Sequence, residues 1–188
     1  MKFELGKKRY NDYPTFFKTL FEERVQKLSI DGGFTCPNRD GSKGVGGCSF
    51  CNNESFNPDY CRAVRGITEQ IDEGIRFFAR KYKGQRYLAY FQAYSNTYAP
   101  LDVLKLRYEE ALAHPMISGL VIGTRPDVVS EEVLDYLEEL ARRYYVCVEY
   151  GVESVNDTVL RQVNRGHDFA VAEQAIRATA GRGITIGA

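Results

Sequence analysis

Residues 119–123, GLVIG, form an apolar run of the kind found in a strand that is buried on both faces of a parallel sheet. Four further strands are predicted, at residues 26–31 (QKLSID), 86–93 (RYLAYFQA), 144–152 (YYVCVEYGV) and 184–186 (ITI). Helical periodicity separates the successive strands, and this alternation indicates a parallel α/β fold with right-handed crossovers. The sheet is predicted to be either doubly wound or part of a (β/α) barrel.

The helices between these strands are predicted from their capping residues and apolar faces. The residues predicted to cap or open four of them are Thr68, Pro100, Ser130 and Asp168. Lys81, Lys83 and Gly84 are predicted to end the first of the four, because cations and glycine suit the carboxyl end of a helix.

Polar residues follow the first four predicted strands at their carboxyl ends, where parallel α/β folds bind ligands. The first strand leads into a loop with three cysteines, and the second is followed by Ser95, Asn96 and Thr97. Residues 124–127 (TRPD) follow the third strand, and residues 149–154 (EYGVES) end the fourth. The sequence therefore predicts one ligand site at this rim of the sheet.

The cysteine loop, residues 36–51 (CPNRDGSKGVGGCSFC), has the spacing C-x11-C-x2-C. Cys36, Cys48 and Cys51 supply three thiolates, which can bind three irons of a [4Fe-4S] cluster and leave the fourth iron open to a ligand. The glycines of the loop let its backbone wrap closely around such a bulky group. On spacing alone, a zinc site completed by Cys61 and a set of unliganded thiols also remain open. A disulfide framework is disfavoured because the chain has five cysteines, an odd number.

The bulk composition is that of an ordinary globular protein. The chain has 188 residues, enough for one domain with a sizeable core, and is 44% hydrophobic and 27% charged. Its formal net charge of zero argues against gripping nucleic acid through bulk charge, although not against a local basic patch. No apolar run approaches the ~20 residues of a membrane span, and the N-terminus lacks the apolar core of a signal peptide. We therefore predict a cytoplasmic protein with no membrane partner.

Six segments, in this order along the chain, resemble those of radical S-adenosylmethionine (SAM) proteins. They are GFTCPNRDG (33–41), GGCSFC (46–51), QAYSNTYAP (92–100), GTRPD (123–127), EYGVES (149–154) and NRGHD (164–168). The resemblance is to the branch that includes oxygen-independent coproporphyrinogen oxidase and the catalytic subunit of elongator, and more closely to an uncharacterised bacterial family related to both. A first cysteine gap longer than the superfamily's common C-x3-C-x2-C is typical of this branch.

The resemblance implies a fold and a division of the chain. Residues 26–188 are expected to form the N-terminal part of a radical SAM (β/α) barrel, and residues 1–25 a basic and aromatic N-terminal extension. A complete eight-stranded barrel typically needs ~250 residues, so we predict a partial barrel that stops after about five strands. Further strands are expected in a longer protein.

The resemblance also implies the cofactors and the chemistry. Cys36, Cys48 and Cys51 are expected to bind a [4Fe-4S] cluster whose open iron is chelated by the methionine amine and carboxylate of SAM. One electron from the cluster then cleaves SAM into methionine and a 5′-deoxyadenosyl radical, which abstracts a hydrogen atom from the substrate. The implied protein is a radical SAM enzyme, and its reductant is expected to be a protein such as flavodoxin or ferredoxin.

The positions that the resemblance assigns to SAM binding are Phe50, Asn96, Thr97, Thr124, Glu153 and Arg165. Phe50 is expected to pack against the adenine ring. Glu153 is expected to accept hydrogen bonds from the ribose hydroxyls, and Arg165 to pair with the SAM carboxylate. Asn96 and Thr97 stand where related enzymes have a glycine-rich segment that binds the methionine amine.

The likeness to elongator in residues 124–127 and 164–167 implies RNA as the substrate, with a wobble uridine of tRNA as the candidate. Cations and rings near the N-terminus suit stacking on RNA, and they are Lys7, Lys8, Arg9, Tyr10, Tyr13, Phe16 and Phe17. The same segment equally suggests a basic lid over the bottom of the barrel. The alternative to an enzyme is a zinc-stabilised, non-catalytic binding module that holds a partner through this segment.

Overall fold

A computed structural model describes residue 10 and residues 12–52, 57–80 and 85–188. Two sets of residues named above lie outside these ranges, Lys7 to Arg9 of the basic segment and the predicted helix end at Lys81, Lys83 and Gly84. The described residues contain five strands: β1 (Arg24–Ile30), β2 (Gln85–Phe91), β3 (Ile117–Thr124), β4 (Tyr145–Tyr150) and β5 (Thr185–Gly187).

The five strands form one parallel sheet in the order β1-β2-β3-β4-β5, which is their order along the chain. A doubly wound sheet reverses its direction of growth at a switch point, whereas a barrel adds each strand beside the previous one. The sheet is therefore the partial (β/α) barrel, and the doubly wound alternative is wrong. The pairing of β1 with β2 runs in register from Arg24 opposite Gln85 to Ile30 opposite Phe91.

Six α-helices lie in the described residues: α1 (Tyr13–Phe21), α2 (Ile67–Ala79), α3 (Leu101–Leu112), α4 (Glu131–Ala141), α5 (Asp157–Gln162) and α6 (Phe169–Thr179). The predicted caps at Ser130 and Asp168 are confirmed, because each side chain accepts a hydrogen bond from the backbone amide three residues later, at 3.2 Å. None of these helices is long and apolar enough to cross a bilayer.

The predicted cap at Thr68 is wrong, because α2 begins one residue earlier and Thr68 lies in its first turn. The amide and the hydroxyl of Thr68 both donate to Oε1 of Glu110, at 3.1 and 3.2 Å. A carboxylate on α3 thus satisfies the open amino end of α2, where negative charge is favourable. The sequence around Thr68 carries no sign of a partner 42 residues away.

The outer face of the sheet holds the main core. Alternate side chains of the strands, among them Leu28, Ala89, Leu120 and Val148, are fully buried in one cluster with apolar residues of α2, α3 and α4. Helices that cover a parallel sheet in this way remove its apolar strands from water. Burial of the outer face therefore stabilises the fold, and the inner face is not needed for this main core.

The inner face is covered by α1, which the sequence analysis did not predict. Phe17 of α1 is 2% exposed and packs with Leu88, Val121 and Cys147, and its ring meets that of Tyr145 edge to face at 5.5 Å. Burial, with the nearby carboxylate on β4, raises the pKa of the Cys147 thiol to about 11. Phe17 is therefore a core residue and not a ring free to stack on RNA, which favours the lid interpretation of this segment.

Replacing Phe17 with alanine tests whether α1 is an integral part of the fold. We expect Phe17→Ala to lower the free energy of unfolding by about 3–5 kcal/mol, because it removes a buried ring and leaves a cavity. Phe77→Ala is the matched control, since that ring is 59% exposed, and it is expected to cost less than about 1 kcal/mol. Equal losses in urea unfolding of the two variants would show that α1 does not seal the inner face.

Candidate active site

The three cysteines of the loop after β1 line a single cavity of about 580 Å³ beyond the carboxyl ends of the strands. A cavity of this size is typical of small-molecule and cofactor sites. Of the residues predicted from the sequence, it is lined by Cys36, Cys48, Cys51, Phe50, Thr124, Glu153 and Arg165. The structure therefore brings seven of the nine predicted site residues together.

Cys61, the fourth ligand of the zinc alternative, lies elsewhere. It lines a separate cavity with Asp31 and Asn57, and burial, with the charge of Asp31, raises the pKa of its thiol to about 12. In the described part of the chain, no three His, Cys, Asp or Glu side chains converge on a position for one metal ion. A cubic iron–sulfur cluster differs in this respect, because each thiolate binds a different iron.

Cys48 is the most enclosed of the three cysteines, and three side chains direct N–H groups at its sulfur. The Nδ2 atom of Asn38 and the Nη1 atom of Arg165 are each 3.6 Å from Cys48 Sγ, and the Nη1 atom of Arg125 is 3.9 Å away. Such donors stabilise negative charge on sulfur, so these contacts suit a thiolate that binds metal.

Asn38 also ties the cysteine loop to the loop after α5. Its amide donates to the carbonyl oxygens of Asn164 and Arg165, at 2.6 and 3.1 Å, and the Asn164 amide donates to the Gly47 carbonyl oxygen at 3.0 Å. Gly166 has a φ of +78°, and a Cβ there would lie 2.6 Å from Asn38 Oδ1. The glycine is therefore required both by its backbone conformation and by the close approach of the two loops.

Arg165 is 6% exposed, so its guanidinium is not a solvated surface group. Its Nη2 atom donates to the Gly151 carbonyl oxygen, and its buried Nε atom has no hydrogen-bond partner within the described ranges. A Cβ on Gly151 would lie 2.8 Å from Arg165 Nη2 and 2.9 Å from Glu153 Oε1. The guanidinium and the carboxylate thus flank one glycine at the cavity wall.

Asn96 and Thr97 are buried behind the cavity and do not line it. The Asn96 amide donates to the Gly123 carbonyl oxygen at 2.7 Å, while the Thr97 hydroxyl lies 2.7 Å from that of Thr124 and 2.9 Å from the Val128 carbonyl oxygen. These bonds hold the turn after β2 against β3. The role of Asn96 and Thr97 in binding SAM stays a prediction to which this geometry adds no support.

Ser95 lies at the cavity wall; the sequence placed it at this rim of the sheet but did not assign it to SAM binding. It is 1% exposed, and its hydroxyl has no hydrogen-bond partner among the described residues. A buried hydroxyl without a partner is costly, and one that faces a cavity is available to a ligand. Its position next to Asn96, after the second strand, was the signal that could have identified it.

Phe50 is half exposed and faces the cavity, so its ring is not tucked under its own turn. Nearby, Arg39 donates to the Cys51 carbonyl oxygen at 3.2 Å, and its guanidinium lies 5.7 Å from the centre of the Tyr94 ring. These contacts hold the end of the cysteine loop and leave the Phe50 ring free to pack on a flat ligand.

Charged and aromatic side chains on the inner face of the sheet lie between helix α1 and the cavity. Lys27 of β1 donates to Glu149 of β4, and its Nζ atom lies 4.5 Å from the ring centre of Tyr90 and 4.8 Å from that of Tyr13. Burial opposes the charge of Lys27, but its bonds to Glu149 and Tyr13 prevail and raise its pKa. Inward-facing charges that interrupt two apolar strands were the sequence signal for this pair.

Arg125 and Asp127 form a buried ion pair at the rim. The Nε and Nη2 atoms of Arg125 donate to the two carboxylate oxygens of Asp127, each at 2.9 Å, and Lys43 donates to the same carboxylate at 2.5 Å. Burial alone would raise the pKa of Asp127, but these hydrogen bonds outweigh it and lower the pKa to about 2. The carboxylate is therefore ionised at any ordinary pH.

The fold and the site define a class of protein, a partial parallel barrel with three cysteines at its carboxyl rim beside buried arginines. The sequence profile of the Radical SAM superfamily matches residues 36–187, from the first cysteine of the loop to the last strand. The chain therefore belongs to the Radical SAM superfamily. Members of this family are enzymes that use a [4Fe-4S] cluster and SAM.

Three curated relatives are similar to most of this chain. They are protein YhcC of Escherichia coli (strain K12), YtqA of Bacillus subtilis (strain 168) and MJ0486 of Methanocaldococcus jannaschii, at 42%, 36% and 33% identity. The alignments cover 88%, 95% and 94% of this chain and 53%, 56% and 54% of the relatives. The chain thus spans about half the length of the curated relatives it matches.

Among solved structures, that of the cobalamin-dependent SAM radical enzyme OxsB, with aqua-cobalamin and SAM bound, is similar to this chain. The similarity covers 86% of this chain and 22% of the OxsB chain, with a TM-score of 0.49 and 16% sequence identity.

The lowered pKa of Asp127 predicts how stability depends on pH. A carboxyl whose pKa is about 2 when folded and about 3.9 when unfolded contributes about 2–3 kcal/mol above pH 5, and loses it as the pH falls toward 2. We expect Asp127→Asn to be less stable than the wild type at pH 7, with the difference shrinking toward pH 3. Urea unfolding of the metal-free chain at several pH values measures this.

Asp59→Asn is the matched control, because the Asp59 side chain is fully exposed. It is expected to change stability by less than about 0.5 kcal/mol at every pH. A stability gap for Asp127→Asn that stays constant from pH 7 to pH 3 would contradict the assigned role of the carboxylate.

Proposed function

We propose that this chain forms the cofactor-binding part of a radical SAM enzyme, which cleaves SAM reductively at a [4Fe-4S] cluster. The observation that carries the proposal is the meeting of Cys36, Cys48 and Cys51 in one cavity with Arg165 and Glu153. A cluster held by the three cysteines would supply the one electron that cleaves SAM reductively, and SAM would supply the group that takes a hydrogen atom from the substrate. The activity of the whole protein is part of the same proposal, because the chain spans only about half the length of the relatives it matches.

The residues at the cavity fit these two groups. Cys36, Cys48 and Cys51 would hold the cluster, since the N–H groups around the Cys48 sulfur are the kind of donors that surround metal-bound sulfur. Arg165 would bind the SAM carboxylate, because its Nε–H is buried and has no partner among the described residues. Glu153, exposed on the other side of Gly151, would accept hydrogen bonds from the ribose hydroxyls.

Phe50, Ser95 and Thr124 complete the proposed SAM site. The exposed ring of Phe50 would cover the adenine and exclude water from that side. The hydroxyl of Ser95 lacks a partner in the described structure, so it would bond to a polar group of the methionine moiety. Thr124 lines the same cavity. Because the Thr97 hydroxyl donates to the Val128 carbonyl oxygen, the Thr124 hydroxyl donates to Thr97, and toward a ligand it can only accept.

A radical must be shielded from water and from side reactions, and the inner face provides part of this shield. Phe17 and its neighbours close that face at one end, so the cavity is reached from the carboxyl rim. Tyr90 and Glu149 line the cavity on the side that faces helix α1. We propose that this polar surface, held by Lys27, receives the substrate.

The substrate class and the reductant are also proposals. We propose RNA, with a wobble uridine of tRNA as the candidate, on the elongator-like segments at residues 124–127 and 164–167. A flavodoxin or ferredoxin would supply the electron. Release of 5′-deoxyadenosine on reduction, measured with and without added tRNA, tests both the cleavage of SAM and its coupling to RNA. The division of the chain at residue 25 likewise stays a prediction.

The zinc-stabilised binding module is disfavoured by the position of Cys61, which faces a different cavity from the three loop cysteines. A tetrahedral zinc site needs four ligands around one ion. Metal analysis separates the two proposals, because about four irons and four sulfides per chain support the enzyme. One zinc and no iron after anaerobic reconstitution would support the module.

Replacing one cysteine at a time tests the cluster ligands. We expect Cys48→Ala to lose most of the iron after anaerobic reconstitution while its circular dichroism stays that of the wild type, since the cysteine loop lies outside the strands. Cys61→Ala is the matched control, a second buried cysteine outside the cavity, and should keep about four irons. Equal iron loss in the two variants, or full iron content in Cys48→Ala, would refute the assignment.

Adding one methyl group at Gly151 tests the SAM site. Its Cβ would meet Arg165 Nη2 and Glu153 Oε1 at less than 3 Å, so Gly151→Ala must displace one of the two side chains. We expect about a tenfold or greater loss of SAM affinity, the loss of roughly one charge-assisted hydrogen bond. Equilibrium dialysis of SAM on the reconstituted chain measures it.

Gly44→Ala is the control for this measurement. It adds a methyl group within the cysteine loop, where the nearest atom would be Asn38 Oδ1 at 3.5 Å, an ordinary contact. It is expected to bind SAM as the wild type does. Unchanged SAM affinity in Gly151→Ala, with full iron content, would show that Arg165 and Glu153 do not hold SAM.

A further inference from the structure

The Arg125 guanidinium lies beside the cysteine loop, and the proposed binding of SAM does not use it. It is 3% exposed, and its Nη1 atom is 3.9 Å from Cys48 Sγ. Arg165, on the same sulfur, is assigned to the SAM carboxylate, and Asn38 holds two loops together. Among the described residues, Arg125 is therefore a buried cation at the Cys48 sulfur to which no role has been assigned.

Asp127 fixes the orientation of Arg125. Two parallel hydrogen bonds of 2.9 Å join the guanidinium to the two carboxylate oxygens, and both side chains are buried. Pro126 opens a short 3-10 turn that follows Arg125 and contains Asp127, and the two side chains meet on one side of it. With Nε and Nη2 bound to Asp127, Nη1 is the group directed at Cys48. Such a fork loses little freedom when it forms a further hydrogen bond.

A positive group at a cluster ligand has a definite effect on reduction. Reduction adds one negative charge to the cluster, and a nearby fixed cation or an N–H donor to sulfur stabilises the reduced form more than the oxidised form. Arginine keeps its charge at any ordinary pH, so this effect does not vary with protonation of the side chain. Burial strengthens it, because charges interact more strongly away from water.

We propose that Arg125, positioned by Asp127, raises the reduction potential of the [4Fe-4S] cluster by acting on the Cys48 sulfur. This inference rests on the proposed function, since it requires the three cysteines to hold a cluster. Arg125 tunes the metal centre, and Asp127 is a positioning residue that acts through it. The competing role is purely structural, with Arg125, Asp127 and Lys43 joining β3 to the cysteine loop.

The test is a redox titration of the full chain, reconstituted under anaerobic conditions and followed by electron paramagnetic resonance of the reduced cluster. Arg125→Gln is expected to make the equilibrium constant for one-electron reduction about tenfold smaller, a shift of about 59 mV to more negative potential. Arg125→Lys keeps the charge but loses the fork, so its potential should lie between those of Arg125→Gln and the wild type. Arg177→Gln removes an exposed cation on α6 and should leave the potential unchanged.

Asp127→Asn separates positioning from simple charge. Removing a carboxylate near the cluster would by itself raise the potential, whereas releasing Arg125 from its position lowers it. We expect the potential to fall. A rise would show that Arg125 keeps its place without Asp127 and would overturn the positioning role.

The remaining outcomes distinguish this inference from the proposed function. If the wild-type chain takes up no [4Fe-4S] cluster, the proposed function itself fails. If the cluster forms and Arg125→Gln has the wild-type potential, only the inference is overturned. Should Arg125→Gln fail to hold iron, Arg125→Lys and Asp127→Asn carry the test, and wild-type potentials in both overturn it.

Discussion

The site depends on the hydrogen bonds that join the cysteine loop to the loop after α5. Asn38 is buried, and its amide donates to carbonyl oxygens of Asn164 and Arg165, which lie 126 and 127 residues further along the chain. Asn164 returns a hydrogen bond to Gly47. A buried amide that lost these partners would cost about 1–3 kcal/mol per unsatisfied group, so the two loops are stable together and not apart. The cysteines and Arg165 therefore share one cavity only because the sheet brings both loops to the same rim.

The order of the strands determines what each face of the sheet can do. Because every strand lies beside its predecessor, the crossover helices α2, α3, α4 and α6 pack on the outer face, where the main core forms. These helices leave the inner face uncovered, and its lower part is apolar at Leu88, Val121 and Cys147. Helix α1 covers this part, so the N-terminal segment replaces the cover that crossover helices cannot give. Above it the same face becomes polar at Lys27 and Glu149, where a ligand and not a helix is the expected neighbour.

Features that depend on residues close together in the sequence could be predicted from local sequence patterns. The buried strands follow from apolar runs, the caps at Ser130 and Asp168 from side chains that bond within three residues, and the cysteine site from one loop. Distant pairings escaped prediction, because nothing near Thr68 indicates Glu110. Lys27 and Glu149 each interrupt an apolar strand, but neither stretch of sequence indicates that the two side chains meet. Asn96 and Thr97 were placed at the correct strand end, but a strand end presents some side chains to the cavity and others to the next strand. The conformation of the turn after β2 decides which of its side chains face the cavity, and the residue types in the turn do not reveal that conformation.

Arg165 and Arg125 are both buried beside Cys48, yet their surroundings differ in one respect. Burying a guanidinium costs several kcal/mol unless an anion and good hydrogen bonds compensate it. Arg125 has that compensation from Asp127, whereas Arg165 forms no ion pair among the described residues and keeps an unpartnered Nε–H. The contacts of Arg165 are a sulfur atom at 3.6 Å and a backbone carbonyl oxygen, so its guanidinium lacks the carboxylate partner that Arg125 has. Arg125, which is held by Asp127, therefore suits a permanently bound group such as the cluster. Arg165, which has no ion pair among the described residues, suits a ligand that brings its own carboxylate and later dissociates.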